Sequence, residues 1–202
     1  MRCKCCKQKF EQKRFLQKYC DKKECQIEER TQLALKNLEG IKKKKFTEMK
    51  VSAYSSKYKD ELQKEINKLA RMIDLKFYST CIDCGRILKD DVHGSHYHNV
   101  GGNENIRYNL HNIHASLGHC NVWSSGNKQG YQKGLIERYG EEYAEYIEFG
   151  IKEKYKSMHF SNNEIYESIP VVRKLIRDFE TFIFNDPIQA RNQLNKIINL
   201  YK

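Results

Sequence analysis

The residues able to do chemistry fall into two groups. Cys3-Lys-Cys5-Cys6 is followed, after thirteen residues, by Cys20-x4-Cys25. Cys3 and Cys6 form a CxxC pair suited to a tight turn, and Cys20 with Cys25 can close a tetrahedral zinc site, leaving Cys5 spare. Zinc there would contribute on the order of 10 kcal/mol of folding free energy to a piece too small to hold itself together. The second group lies within residues 81–127, which hold six of the seven His, six of the eleven Gly and three Cys but only seven charged side chains, a density that marks a site more than a scaffold. Cys81-Ile-Asp-Cys84-Gly85 is one half of a zinc-bound hairpin, with Gly85 letting the backbone curl under the metal. Cys120 supplies a third thiol, but Leu117 stands where a second CxxC would begin. A fourth ligand must come from elsewhere, and His119 and His114 are the nearest candidates; His119 is the one assigned. Between the zinc halves lie His93-Gly-Ser-His96, then Asn112-Ile-His114, then Asn121 directly after Cys120. Cutting a phosphodiester needs a base for water, a divalent ion for the developing charge, and rigid placement of both. Imidazole suits the base because its pKa lies near working pH. His96 is expected to be the base and His93 with Asn121 to hold a Mg²⁺ or Mn²⁺ ion, with Asn112, His114 and Asn127 in support.

The elements that would position these groups are mostly helical. From Gln26 to about Tyr78 the chain has no Pro and one Gly, and Leu62, Ile66, Leu69 and Ile73 make one apolar stripe at helical spacing, suited to core or dimer packing. After residue 128, Ser161 to Glu164 reads as a capping box, Val172, Leu175, Ile176 and Phe179 follow helical spacing, and Pro187 opens a last short helix. The 31% charged and 39% hydrophobic composition leaves a modest core. The net charge of +11 lies entirely in residues 1–80, with 22 Lys and Arg against 11 Asp and Glu. That points to an anionic polymer, and Lys42, Lys43, Lys44 and Lys45 are its densest cluster, although a solvated lysine-rich helix has the same composition. The chain has no apolar run of about 18 residues and no signal-peptide core, so the expectation is a cytoplasmic protein without a membrane, whose cysteines serve metals and not disulfides.

The order CIDCG, HGSHY, RYNLHNIH, HCN and SSGN closely resembles the NinG/Rap family of lambdoid phages, and its site is similar to those of phage endonuclease VII and the HNH or His-Me finger nucleases. The resemblance covers most of the chain. It implies an α+β, mostly helical fold: a small zinc-clipped ββα-metal core at residues 81–130, a zinc knuckle at 1–25, a basic helical arm at 26–80 and a helical region at 131–202. It implies two structural Zn²⁺ ions, and a metal-dependent endonuclease cutting Holliday junctions and D-loops, with His96 as base and Asn121 as metal ligand. A homodimer is expected, because a branched DNA with twofold symmetry offers two equivalent strands. The alternatives are a zinc-dependent DNA-binding recombination factor without turnover, and an HNH enzyme acting on linear duplex. Two positions depart from the family pattern. His93 stands where Asp is common, which favours softer ions such as Mn²⁺ or Ni²⁺ and leaves Asp91 as a substitute carboxylate; Leu117 replaces a zinc Cys.

Overall fold

The computed structural model describes residues 1–45, 55–122 and 127–201. The fold is α+β and mostly helical, and its sheet among the described residues is one antiparallel hairpin. Strand β1 (Val92–His96) pairs with β2 (Ile113–Leu117) in a register that sets His93 opposite Ser116, Ser95 opposite His114 and His96 opposite Ile113. A short helix, α3 (Gly118–Val122), follows β2 directly.

Helix α1 (Lys23–Lys45) starts in the N-terminal cysteine cluster and turns Ala34, Leu35 and Leu38 onto the core. Lys42 to Lys45 form its last turn, and their side chains lie outside the described residues. Helix α2 (Ser55–Phe77) carries the apolar stripe: Leu62, Ile66, Leu69 and Ile73 are all fully buried. The stripe is core, packed against α7 (Asn162–Arg177), and Arg173 of α7 donates to Glu61 at 2.7 Å and Glu65 at 2.6 Å. α7 opens on the capping box, with Ser161 accepting from the Glu164 amide and the Glu164 carboxylate accepting from the Ser161 amide. Helix α8 (Pro187–Ile198) has Pro187 in its first turn and Asp186 as its cap, and it buries Ala190, Leu194, Ile197 and Ile198 in the same core. Packing of the segment past residue 181 is therefore within this chain.

On the other side of the hairpin, α4 (Lys128–Tyr139) is followed by α5 (Glu141–Glu145), which runs through a wider turn at Tyr146–Gly150 into α6 (Ile151–Lys154). These helices close a second core of Ile82, Tyr97, Ile106, Tyr131, Leu135 and Ile147. Because side chains alternate along a strand, the hairpin is a thin layer read from both sides. Gly94, His96 and Ile113 face α2; His93, Ser95, His114 and Ser116 face the cysteine turn and α4. No helix among the described residues is long and apolar enough to cross a membrane.

Candidate metal centre

Two cysteine turns share one backbone design. At the N-terminus the Cys3 amide donates to Gln8 O, the Lys7 amide donates to Cys3 O, and Arg2 bridges to Lys9. In the core the Cys81 amide donates to Arg86 O, the Gly85 amide donates to Cys81 O, and Thr80 bridges to Ile87. Each turn needs a left-handed residue after its second Cys: Gly85 at φ 69°, and at the N-terminus Lys7 at φ 61°. The first turn brings Cys3, Cys6, Cys20 and Cys25 together with every ligand sulfur within 4.8 Å of the others, a set that fits a tetrahedral zinc. The Cys20 amide donates to Cys3 Sγ at 3.3 Å. Burial raises the Cys3 thiol, but hydrogen bonds from the backbone of Cys20, Cys6 and Cys5 outweigh it and lower its pKa to about 6.

The core turn gathers three thiols, Cys81, Cys84 and Cys120, within the same spacing. Three soft donors in one place fit zinc and leave one position for a further ligand. His119 Nε2 lies 3.2 Å from Cys120 Sγ, but it is outside the three-thiol group and is met by the Arg86 guanidinium. His114 is not a ligand candidate in this geometry: fully buried, it donates through Nδ1 to Tyr131 Oη at 2.9 Å, and Tyr131 in turn donates to Ser95 O. Burial, then the charges of Arg191 and Arg138, hold its pKa far below the usual value. Leu117 contributes only its backbone, donating to Cys81 Sγ at 3.3 Å. Burial raises Cys84, but hydrogen bonds beginning with that of Arg86 bring it below the ordinary thiol value.

Helix α4 is pressed onto this turn. A methyl group at Gly134 would lie 2.0 Å from Ile82 O, and one at Gly130 2.2 Å from Asp83 O. Asn127 caps α4, accepting from the Gly130 amide at 3.1 Å while its Nδ2 reaches Asp83 O at 3.5 Å.

Beside the three thiols, Asp91, His93 and Asn121 converge at the open end of the hairpin. His93 Nε2 donates to Asp91 Oδ1 at 3.0 Å, and His93 Nδ1 accepts from Asn121 Nδ2 at 3.3 Å. Gly118 admits the Asp91 carboxylate, since a Cβ there would lie 2.0 Å from Oδ2. The His93 and Asp91 side chains are 40% and 71% exposed, so a solvent-borne ion or phosphate can reach them. Turning the Asn121 amide over would set its oxygen beside the Nδ1 lone pair, and two acceptors side by side are donors that a divalent cation fits, while Asp91 holds the ring from its Nε2 side. His96 belongs to the opposite face. Its Nε2 lies 3.1 Å from Arg107 O and 3.1 Å from Gln63 Nε2 of α2, and its pKa is lowered to about 4, chiefly by burial. The structure brings His93 and Asn121 together and sets His96 on the α2 side of the strand.

Asn112, fully buried, staples the chain after β1: it accepts from the His98 amide at 2.9 Å and donates to His98 O at 3.0 Å. The residues that sequence reasoning passed over lie on α2. Gln63, Asn67, Ala70 and Asp74 form a second line at helical spacing beside the apolar stripe, and this line meets the hairpin. Small and polar residues at that spacing were the available signal.

A family model described as Bacteriophage Lambda NinG protein matches residues 1–181. The chain belongs to the NinG family. Among curated NinG proteins it is 32% identical to protein ninG of Escherichia phage lambda over 88 residues, 44% of this chain and 42% of that one. It is 31% identical to the ninG proteins of Escherichia phage 933W and Enterobacteria phage VT2-Sa over the same length, 43% of each. The chain thus spans less than half the length of the curated NinG relatives it matches. No solved structure matches it. Both cysteine turns and the Asp91–His93–Asn121 cluster lie within the NinG match, whereas α8 lies beyond it.

Proposed function

We propose that this NinG-family chain is a metal-dependent endonuclease that cuts branched DNA, with the bond broken at the Asp91–His93–Asn121 edge. The observation that carries the reading is that edge itself: the His93 imidazole held between the Asp91 carboxylate at 3.0 Å and the Asn121 carboxamide at 3.3 Å, with His93 and Asp91 exposed, next along the chain to a three-thiol site. A divalent ion bound there supplies Lewis acidity toward a phosphate oxygen and the leaving oxygen. Asp91 fixes the His93 tautomer, keeping the Nδ1 lone pair directed at Asn121. His93 is the proposed base, oriented by Asp91, because base and phosphate must share one water and His96, the base expected from the sequence, faces α2 from the opposite side of the strand. The excess of cations in residues 1–80 gives affinity for the phosphate backbone, and two copies of the chain on a twofold junction would place symmetric nicks. The neutral ring of His96, its pKa lowered to about 4 by burial, favours a second reading in which His96 takes the proton and His93 only holds the ion.

The test is cleavage of a four-way junction by the zinc-loaded chain in Mg²⁺, Mn²⁺ or Ni²⁺, with Mn²⁺ binding followed separately. His93→Ala should abolish cleavage and leave junction binding intact, while His96→Ala should still cut. If His96→Ala cuts nothing but still binds the junction and Mn²⁺, while His93→Ala loses Mn²⁺, the second reading holds. A chain that binds the junction but cuts nothing in any ion refutes the endonuclease reading and leaves a DNA-binding recombination factor.

A further inference from the structure

The N-terminal cysteine cluster holds up an apolar tip that nothing in the fold requires. Arg14, Phe15, Leu16 and Gln17 form a tight turn closed by the Gln17 amide donating to Arg14 O at 3.2 Å. Phe15 is 94% exposed and Leu16 66% exposed. Leu16 also sits at φ 57°, a left-handed conformation that a glycine or asparagine adopts readily and a leucine does not. The base of the turn is fixed. Buried Gln17 accepts from the Lys13 amide at 2.9 Å, donates to Tyr19 O at 2.9 Å and Asp21 at 3.1 Å, and receives Gln12 on its carbonyl at 2.9 Å. Two large apolar side chains are therefore held rigidly in water on a strained backbone, a combination that persists where binding uses it.

The rim identifies the partner. Arg14 and Lys18 are exposed on either side of the tip, Lys13 pairs with Asp21 below it, and residues 1–18 hold seven Lys and Arg against one Glu. One aromatic ring and one branched chain between cations match a base step with its flanking phosphates, and this apolar surface is too small for an amphipathic membrane anchor. We propose that Phe15 and Leu16 form a wedge that stacks on bases left unstacked at a DNA branch point, so that the N-terminal cluster selects branched over linear DNA independently of cutting. The inference rests on the DNA reading above.

The experiment compares binding of the zinc-loaded full chain, at fixed salt and without added Mg²⁺ or Mn²⁺, to a four-way junction carrying 2-aminopurine at the branch and to a linear duplex of the same sequence. Phe15→Ala should reduce the junction-to-duplex affinity ratio about tenfold and lose the 2-aminopurine change, with zinc content retained; Phe15→Trp should keep both. Leu16→Gly separates binding from folding, because it relieves the backbone and should raise stability while lowering the ratio. Unchanged ratios in Phe15→Ala and Leu16→Gly overturn the wedge and leave DNA binding standing. A wild-type chain that binds neither DNA overturns the wedge together with the DNA reading, and a Phe15→Ala defect confined to anionic vesicles overturns it in favour of a membrane surface.

Discussion

Gly134→Ala tests the contact that seats the core cysteine turn. Gly134 lies in the middle of α4, where exchange of glycine for alanine ordinarily stabilises a helix by about 1 kcal/mol. Here the added methyl would lie 2.0 Å from Ile82 O and 3.0 Å from Ile82 C, in backbone that cannot rotate away. Ile82 is held in turn, its amide donating to Ala115 O at 3.1 Å, so relief must come from α4 lifting off the turn or from the turn moving off β2. Overpacking of this kind costs about 1–3 kcal/mol. The propensity gain offsets part of that, leaving a net loss of up to about 2 kcal/mol. The measurement is urea unfolding of the zinc-loaded chain, together with the rate of zinc loss to a chromogenic chelator. The variant should unfold earlier and release core zinc faster. Gly101→Ala, where an added methyl meets nothing within 4 Å, should be nearly neutral. Stabilisation by Gly134→Ala would refute the argument, because it would mean that α4 does not bear on the cysteine turn.

Arg191→Met should cost about 3–5 kcal/mol in urea unfolding, because it leaves the Asp74 carboxylate, fully buried and 2.6 Å from the guanidinium, without its counter-charge. Asp74→Asn on that background should return part of the loss, since an amide oxygen can still accept from Ala115. Burial, then the charge of Arg191, lowers the His111 pKa to about 3, below the unfolded value near 6.5, so the unfolded state takes up the proton first. Stability from this group is therefore complete above pH 6.5 and falls as the pH drops toward 3, by about 2 kcal/mol between pH 6.5 and 5; unfolding of His111→Gln against pH should show a correspondingly shallower loss. Lys7→Gly should stabilise the N-terminal cluster by about 1 kcal/mol by removing a side chain from a left-handed position, and Gly85→Ala should do the reverse in the core turn, both read from resistance to chelator.

Local patterns were legible in the sequence wherever one residue type does one job. The four N-terminal thiols, the stripe from Leu62 to Ile73, the Ser161 box and the break at Pro187 all appear where spacing and capping chemistry put them. Legibility failed where the meaning of a residue depends on which face of a strand it occupies. His93 and His96 are three apart, which on a helix would make them neighbours and on β1 sends them to opposite sides. His119 follows from adjacency to Cys120, but in the fold its ring is met by Arg86, outside the three thiols. Lys7 carried no signal of a left-handed turn because lysine is not a turn residue; only comparison of its hydrogen bonds with those around Gly85 shows the shared design. The pairing of Asp74 with Arg191 spans most of the chain, and no local pattern encodes it.

A hairpin of two five-residue strands is too small to be rigid alone, yet the Asp91–His93–Asn121 edge needs fixed backbone. The stiffness comes from the side of β2 that β1 does not cover. There the backbone groups of Ile113, Ala115 and Leu117 point outward, and each finds a partner from a distant part of the chain. Arg191 donates to Ile113 O at 3.3 Å, Asp74 accepts from the Ala115 amide at 2.6 Å, the Ile82 amide donates to Ala115 O, and Cys81 Sγ accepts from the Leu117 amide. An exposed strand edge would otherwise leave these groups unpaired. The edge is thus closed by two helices and a cysteine turn in place of a third strand, and Cys81 serves twice, as a thiol of the three-Cys group and as an acceptor that holds β2. Metal loss, a shift of α4 or loss of α8 therefore act on the same strand, and through its pairing of His93 with Ser116 they reach the exposed edge without touching it. This is why α8, outside the family match, belongs to the physical support of the site.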